Sequence, residues 1–232
     1  PADLETPLTT WLKVGEGHPP GVLLESVEGG ENLGRWSVIA CDPLWTLSAR
    51  GDALTRHWRD GHEESFQGNP LEVLRECTNA YKPVSLPGLP PLGQLYGMWG
   101  YELIRWIEPS VPVHQADENA PPDGVWMLMD SILIIDQVKR LITAVAYGDL
   151  SGTRAAAKTA DQAWDGAMGR IHALENQMAS PLPQVRPLRW KPAARPTPET
   201  ESNRSPEDYQ QAVATAQEHI AAGDAFQLVI SQ

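Results

Sequence analysis

The sequence has 232 residues and a formal net charge of -12 at pH 7, and 41% of its residues are hydrophobic. This length suits one large domain or one and a half ordinary ones, and the composition excludes a globally disordered chain. The acidic balance argues against a nucleic-acid partner, because phosphate binding needs a basic face. Two cysteines, Cys41 and Cys77, are too few for a disulfide framework and indicate a reducing compartment.

The ends of the sequence and its longest apolar run indicate the cellular location of the protein and the extent of the chain. No basic segment followed by an apolar one opens the chain. The longest apolar run, residues 125–135, contains Asp130 and is too short to span a bilayer. We therefore expect a cytoplasmic protein without membrane contact. The chain begins at Pro1 without an initiator methionine and stops at Gln232 after a strand-like run, so we expect a fragment of a longer protein.

Residues 22–43 predict two strands joined by a turn that contains two glycines. The first strand is a short apolar run, and Glu25 and Ser26 follow it directly. Polar side chains at the end of a buried strand either satisfy local backbone groups or line a small-ligand pocket. In a pocket, Glu25 would suit an ammonium group and Ser26 a hydrogen bond.

Residues 44–58 predict two more short strands around a turn, which favours an antiparallel sheet over alternating parallel units. A helix is predicted after Asn69, which can cap it, with Pro70 at the first helical position. A proline-rich segment ends that helix, and residues 92–109 predict an aromatic strand followed by a short helix over residues 101–107.

The apolar run 125–135 predicts one strand buried on both faces, and residues 141–147 predict another. Asp130 lies inside the first run and must be paired or sit at a bend, because an unpaired buried carboxylate is costly. We interpret it as structural rather than catalytic. Residues 153–178 predict a helix with one apolar face formed by Trp164, Met168, Ile171, Leu174 and Met178.

The composition divides the chain into three parts. Residues 1–180 form a first region, residues 181–204 a proline-rich linker, and residues 205–232 the start of a second domain. Ser205 is the predicted cap of a helix that ends at Gly223. The residues from 225 onward alternate, which predicts a strand carrying Phe226, Leu228 and Ile230 on one face and Gln227, Val229 and Ser231 on the other.

Three segments, in the same order, resemble component I of anthranilate synthase, a chorismate-utilising enzyme. They are LLESVEGGENLGRWSVIACDP, GMWGYELIR and the helix followed by GDAFQLVISQ. The resemblance implies that Leu24, Glu25 and Ser26 belong to a site where tryptophan binds as feedback inhibitor. It also implies that Gln227 lines the active site, where isochorismate-forming relatives have a lysine that activates water; a glutamine cannot act as that base.

The resemblance implies an α+β fold of antiparallel β-sheets, sandwich-like, with peripheral helices. It implies conversion of chorismate and ammonia to anthranilate and pyruvate, the first step of tryptophan biosynthesis. A glutamine amidotransferase subunit would supply the ammonia, and Mg2+ would neutralise the substrate carboxylate. The family's catalytic and Mg2+-binding residues would lie beyond Gln232, so no catalytic or metal-binding residue is assigned and the isolated chain is predicted to be inactive.

Two alternatives remain at this stage. One is component I of aminodeoxychorismate synthase, a folate-pathway relative with the same fold, although the LLES and GYEL segments favour anthranilate synthase. The other is a non-catalytic regulatory module that binds an amino acid.

Overall fold

The computed structural model describes residues 3–15, 20–25, 34–90, 93–112, 120–183 and 202–232. The chain divides into two compact units, Pro1–Gln184 and Val185–Gln232. In chain order the described elements are α1 (Pro7–Val14), β1 (Gly21–Glu25), β2 (Trp36–Cys41), β3 (Trp45–Arg50), β4 (Ala53–Trp58), β5 (Glu63–Gln67), α2 (Pro70–Asn79), β6 (Leu95–Trp99), a 3-10 turn (Tyr101–Leu103), α3 (Ile104–Ile107), β7 (Gly124–Leu128), β8 (Ser131–Asp136), β9 (Leu141–Ala146), α4 (Ala160–Ala179) and α5 (Pro206–Ala222).

The described strands of the first unit form two antiparallel sheets. The four-stranded sheet has the order β1-β2-β8-β9, and the five-stranded sheet has the order β5-β4-β3-β7-β6. β1 is therefore an edge strand whose ladder partner is β2, with Leu24 opposite Val38 and Glu25 opposite Ser37. The antiparallel α+β architecture expected from the sequence is confirmed, while β5 was not predicted.

Side chains on both sheets form three apolar clusters. One packs under α2 and contains Trp45, Leu47, Ala49, Leu54, Trp58, Val73, Leu74, Cys77 and Leu128. A second packs one face of the four-stranded sheet against α1 and α4, through Val14, Ile39, Cys41, Leu133, Ile135 and Leu174. The third, on the opposite face, joins that sheet to β7 through Ala40, Met127, Met129, Ile132, Ile134 and Val145. Helices thus lie outside two sheets that share a core, which is the predicted sandwich-like arrangement.

The prediction of one strand over residues 125–135 is wrong. The chain leaves the five-stranded sheet at Leu128, passes through Met129 and the buried Asp130, and enters the four-stranded sheet at Ser131. Apart from Asp130 and Ser131 the run is apolar, because β7 and β8 both have buried positions, so hydropathy alone does not reveal the change of sheet. The expectation that Asp130 is paired or lies at a bend is confirmed on both counts.

The predicted helix over residues 153–178 begins later than expected, at Ala160. The hydroxyl of Thr159 accepts a hydrogen bond from the backbone N–H of Gln162 at 3.2 Å and caps the helix there. Its predicted apolar face is also partly wrong, because Trp164 is 67% exposed while Ala163 is buried. The segment after β9 approaches the helix closely here, since a Cβ on Gly148 would lie 3.1 Å from the backbone oxygen of Ala163.

The second unit contains α5, whose N-terminus is capped by Ser205 and which ends at Gly223, as predicted. Gly223 has the left-handed conformation, with φ 85°. The predicted strand after residue 225 is not formed. A strand requires a hydrogen-bonded ladder partner, and the described residues of this unit offer none. Most of the predicted linker, residues 184–201, lies outside the described residues.

Candidate functional site

The predicted inhibitor site begins at the end of the edge strand β1. Leu24 and Glu25 are its last two residues, and both are exposed. Because side chains alternate along a strand, Leu24 and Glu25 point to opposite faces of the four-stranded sheet. Ser26, the third predicted residue, lies outside the described residues. A ligand that contacts both Leu24 and Glu25 must therefore extend from one face of the sheet to the other.

An apolar surface surrounds Leu24 on its face of the sheet. The Leu24 side chain, 50% exposed, lies opposite the half-buried Val38. Trp36 is the next residue of β2 on the same face, and it is also half-buried. The guanidinium of Arg35 lies 4.4 Å from the Trp36 ring centroid, a cation–π contact that fixes the indole.

An ion pair joins the start of β2 to the end of β8. Arg35 donates from Nε to Asp136 Oδ1 at 3.1 Å and from Nη2 to Asp136 Oδ2 at 2.7 Å. Oδ1 also accepts the backbone N–H groups of Val138 and Lys139 at 3.1 and 3.0 Å. The hydrogen bond from Arg35, helped by these backbone donors, lowers the pKa of Asp136 to about 2. Asp136 therefore stays ionised and bridges β2 to the turn after β8.

Polar contacts beside this ion pair reach the residue opposite Glu25. Ser37, the ladder partner of Glu25, is fully buried. Its hydroxyl accepts a hydrogen bond from Gln137 Nε2 at 3.2 Å. The backbone N–H of Gln137 in turn donates to the carbonyl of Arg35 at 2.9 Å. Gln137 thus joins Ser37 and Arg35 to the turn that follows β8.

Asp130 forms a second ionic network where the chain passes between the sheets. Its carboxylate accepts two hydrogen bonds from Arg59, at 3.0 and 2.8 Å, and Arg170 of α4 lies 3.5 Å away. Arg59 also contacts Asp42, with 3.1 Å between Nε and Oδ2. Arginines engage both carboxylate oxygens of Asp130, and this geometry supports the structural role expected from the sequence.

The other predicted site residue, Gln227, is exposed in the second unit. A cavity of about 590 Å³ lies beside α5 in this unit, and its lining includes Ala216, His219, Leu228 and Ile230 but not Gln227. The structure of the described residues therefore gives Gln227 no site partner, and its assignment to an active site stays a prediction.

The described residues do not supply a metal site. Within the described ranges, no group of three or more His, Cys, Asp or Glu side chains is placed to hold a metal ion. Arginines engage the carboxylates of Asp136 and Asp130 instead. These residues therefore do not fit the Mg2+ that the family resemblance implies.

None of the helices in the described part of the chain is both long and apolar enough to cross a membrane.

Sequence reasoning pointed to the end of β1 but missed the ion pair that joins the neighbouring strand β2 to β8. Arg35 and Asp136 are separated by about one hundred positions, and no local pattern connects them. The signal that could have found Arg35 is its place inside the LGRWS segment, directly before a strand. Asp136 could have been recognised as the acid that opens the Asp-Gln-Val-Lys turn.

Residues 22–232 match the family described as chorismate binding enzyme. Anthranilate synthase component 1 of Synechocystis sp. is 47% identical to the chain over 236 residues, which cover 100% of this chain and 46% of that protein. The protein of the same name from Cereibacter sphaeroides is 33% identical over 243 residues, again 100% of this chain and 46% of its own length. The chain spans about half the length of these curated relatives, and the resemblance predicted from the motifs is confirmed.

A solved structure has the same fold. The crystal structure of anthranilate synthase component I from Streptococcus pneumoniae TIGR4 matches with a TM-score of 0.52 and 19% identity, over 96% of this chain and 45% of that one. At this identity the likeness concerns the fold alone. The sequence match includes both the end of β1 and the segment around Gln227. The chain belongs to the chorismate binding enzyme family.

Proposed function

We propose that the protein containing this chain is component I of an anthranilate synthase. It would add ammonia to chorismate and eliminate pyruvate to give anthranilate, the first step of tryptophan biosynthesis. The observation that carries the proposal is the 47% identity to a relative named anthranilate synthase component 1, which extends over the whole chain. The chain spans 46% of that relative, so the activity is proposed for the whole protein.

The role we propose for this chain is to sense tryptophan at the end of β1. The exposed Leu24 side chain would contact the apolar indole. The exposed Glu25 carboxylate would pair with the ammonium group, and Ser26 would donate or accept one hydrogen bond. Because Leu24 and Glu25 point to opposite faces, the ligand would lie across the strand end, where no described strand covers the edge of β1.

The remaining parts of the proposal concern the whole protein. A glutamine amidotransferase subunit would supply the ammonia, and Mg2+ would be required for the reaction. The ion would be held by residues other than the described ones, which offer no metal-binding group. We propose that the protein works in the cytoplasm and that the isolated 232-residue chain forms no anthranilate.

The tryptophan site is tested by a pair of matched leucine substitutions in the full-length protein. Leu24 and Leu141 lie on the two edge strands of the same four-stranded sheet and are 50% and 45% exposed. Leu24→Ala should raise the tryptophan concentration needed for half inhibition by roughly 5- to 30-fold, the cost of losing about 1–2 kcal/mol of apolar contact. Leu141→Ala should leave that concentration unchanged.

Equal inhibition curves for these two variants would refute the assignment of Leu24. A second test of the same site is Ser26→Phe, which should relieve inhibition by filling the pocket, and an unchanged curve would remove Ser26 from it. Product identity tests the enzyme assignment itself: anthranilate supports it, whereas aminodeoxychorismate would indicate the folate-pathway relative.

A further inference from the structure

We infer that the Arg35–Asp136 ion pair is a positioning element for the tryptophan site, which sets the inhibitor affinity by holding the β2 segment that carries the end of β1. This inference rests on the proposed function, because it concerns the regulation of the same site. It assigns a role to two residues that do not themselves belong to the predicted site.

The position of Leu24 and Glu25 follows from the strand order. β1 lies at the edge of its sheet, so these two residues depend on β2, their ladder partner among the described strands. The Glu25–Ser37 pair is the last of the β1–β2 ladder. Terminal ladder pairs open most easily, since they are supported from one side only. The order of Glu25 is therefore limited by the order of Ser37.

The Arg35–Asp136 ion pair lies next to Ser37 at the start of β2. The register places Trp36 opposite Asp136, one residue beyond the row formed by Ser37 and Ile135. Arg35 binds Asp136 through two hydrogen bonds while its guanidinium covers the Trp36 ring. A two-point contact defines the orientation of the groups that it joins, and not only their distance. The first residues of β2 are thereby fixed to β8.

Asp136 and its neighbour Gln137 also connect the ion pair to the buried part of the four-stranded sheet. Asp136 is 5% exposed, and the neighbouring Gln137 donates to Ser37 through its side chain and to Arg35 through its backbone. Loosening the ion pair would therefore release Ser37, and with it the end of β1. We expect the effect on tryptophan binding to exceed the effect that a similar ion pair elsewhere would have.

The chain offers such a comparison in the five-stranded sheet. Arg56 of β4 binds Glu64 of the adjacent β5, with 2.7 Å between Arg56 Nε and Glu64 Oε2. Both ion pairs connect neighbouring antiparallel strands, and each has one partner with a side chain less than 15% exposed. Glu64→Gln is therefore the matched control for Asp136→Asn, because both substitutions remove one charge from an inter-strand pair.

The experiment measures tryptophan inhibition in the full-length protein, with each variant normalised to its own uninhibited rate, and the melting temperature of each variant. Asp136→Asn should raise the half-inhibiting tryptophan concentration by about 2- to 30-fold, the range expected for a residue coupled to a site that it does not touch. Glu64→Gln should lower the melting temperature without changing that concentration. Arg35→Lys keeps the charge but loses the two-point contact. It should raise the half-inhibiting tryptophan concentration by less than Asp136→Asn does.

Each outcome decides the inference. A selective shift in Asp136→Asn, with Arg35→Lys intermediate, supports it. Identical inhibition of Asp136→Asn and the unaltered protein, or equal shifts in Asp136→Asn and Glu64→Gln, would show a merely structural ion pair and overturn it. If Asp136→Asn fails to fold, Arg35→Lys decides alone. Absence of inhibition in the unaltered protein is a separate result, which would overturn the proposed regulation itself and this inference with it.

Discussion

Replacing Asp130 with asparagine should destabilise the protein strongly, because it removes the charge at the centre of a buried ionic network. The side chain of Asp130 is 8% exposed, and it accepts two hydrogen bonds from Arg59 and faces Arg170 at 3.5 Å. Removing one partner of a fully buried ion pair typically costs about 3–5 kcal/mol, since the other charge is left uncompensated. The arginine side chains are 32% and 28% exposed, so water screens them in part. We therefore expect Asp130→Asn to cost roughly 2–3 kcal/mol.

Asp60→Asn is the matched control. Asp60 also pairs with an arginine, Arg154, at 2.8 Å, the same distance as the shorter Asp130–Arg59 contact. Its side chain is 57% exposed, and exposed ion pairs contribute little to stability. The two sites share the residue type, the partner type and the shortest distance, and they differ in burial and in the number of arginines, because Asp130 also faces Arg170. We expect Asp60→Asn to leave the stability within experimental error.

Urea denaturation, monitored by intrinsic fluorescence, measures the difference in stability between the two variants. The nine tryptophans of the chain provide the signal. For a slope of about 2–3 kcal/mol per molar urea, Asp130→Asn should lower the midpoint by about 1 M. An unchanged midpoint in Asp130→Asn, or an equal decrease in Asp60→Asn, would refute the reasoning that burial makes the Asp130 network important for stability.

Two further predictions concern packing and pH. Gly97→Ala should cost about 1–3 kcal/mol, because the added Cβ would collide with the backbone oxygen of Val125. Gly93→Ala should leave the urea midpoint unchanged, because the heavy atom nearest to its added Cβ is 3.9 Å away, and equal midpoints for the two variants would contradict the crowding at Gly97. The pKa of Asp136 is lowered from its ordinary 3.8 to about 2, so its stabilising contribution is complete above about pH 5 and is lost as the pH falls towards 2. The stability difference between the unaltered protein and Asp136→Asn, measured by urea denaturation, should therefore shrink over that range, and a difference that stays constant from pH 5 to pH 2 would show that the charge of Asp136 is not its source.

Local patterns in the sequence predicted those elements whose signal is itself local. The caps at Asn69 and Ser205, and the end of the last helix at Gly223, involve residues a few positions apart, and the structure confirms all three. The strands β1 to β4 were found from short apolar or alternating runs bounded by turn residues. β5 was missed because its residues are mainly polar, with alternate positions exposed.

Features that depend on contacts between distant segments could not be predicted. The change of sheet at Asp130 depends on Arg59 and Arg170, which come from other parts of the chain. The exposure of Trp164 and the burial of Ala163, which lies close to Gly148, depend on how α4 packs against the rest of the unit. Apolar periodicity predicted a buried Trp164 because it carries no information about how closely a helix approaches its sheet.

The candidate site also combines features that the sequence predicted with features that it did not. Family resemblance pointed to Leu24 and Glu25, and the structure places both at the exposed end of an edge strand. The Arg35–Asp136 ion pair, which joins the neighbouring strand β2 to β8, became visible only in three dimensions. For Gln227 the expected strand is absent from the described residues, so the prediction of an active-site position awaits a direct test.

The most direct test of the central proposal is an assay of the full-length protein with chorismate, ammonium and Mg2+, in which anthranilate is measured by its fluorescence with and without tryptophan. We predict that anthranilate forms and that tryptophan suppresses its formation. Formation of aminodeoxychorismate, or absence of any product from chorismate, would contradict the proposed enzyme, and anthranilate formation that tryptophan does not suppress would contradict the sensing role of this chain.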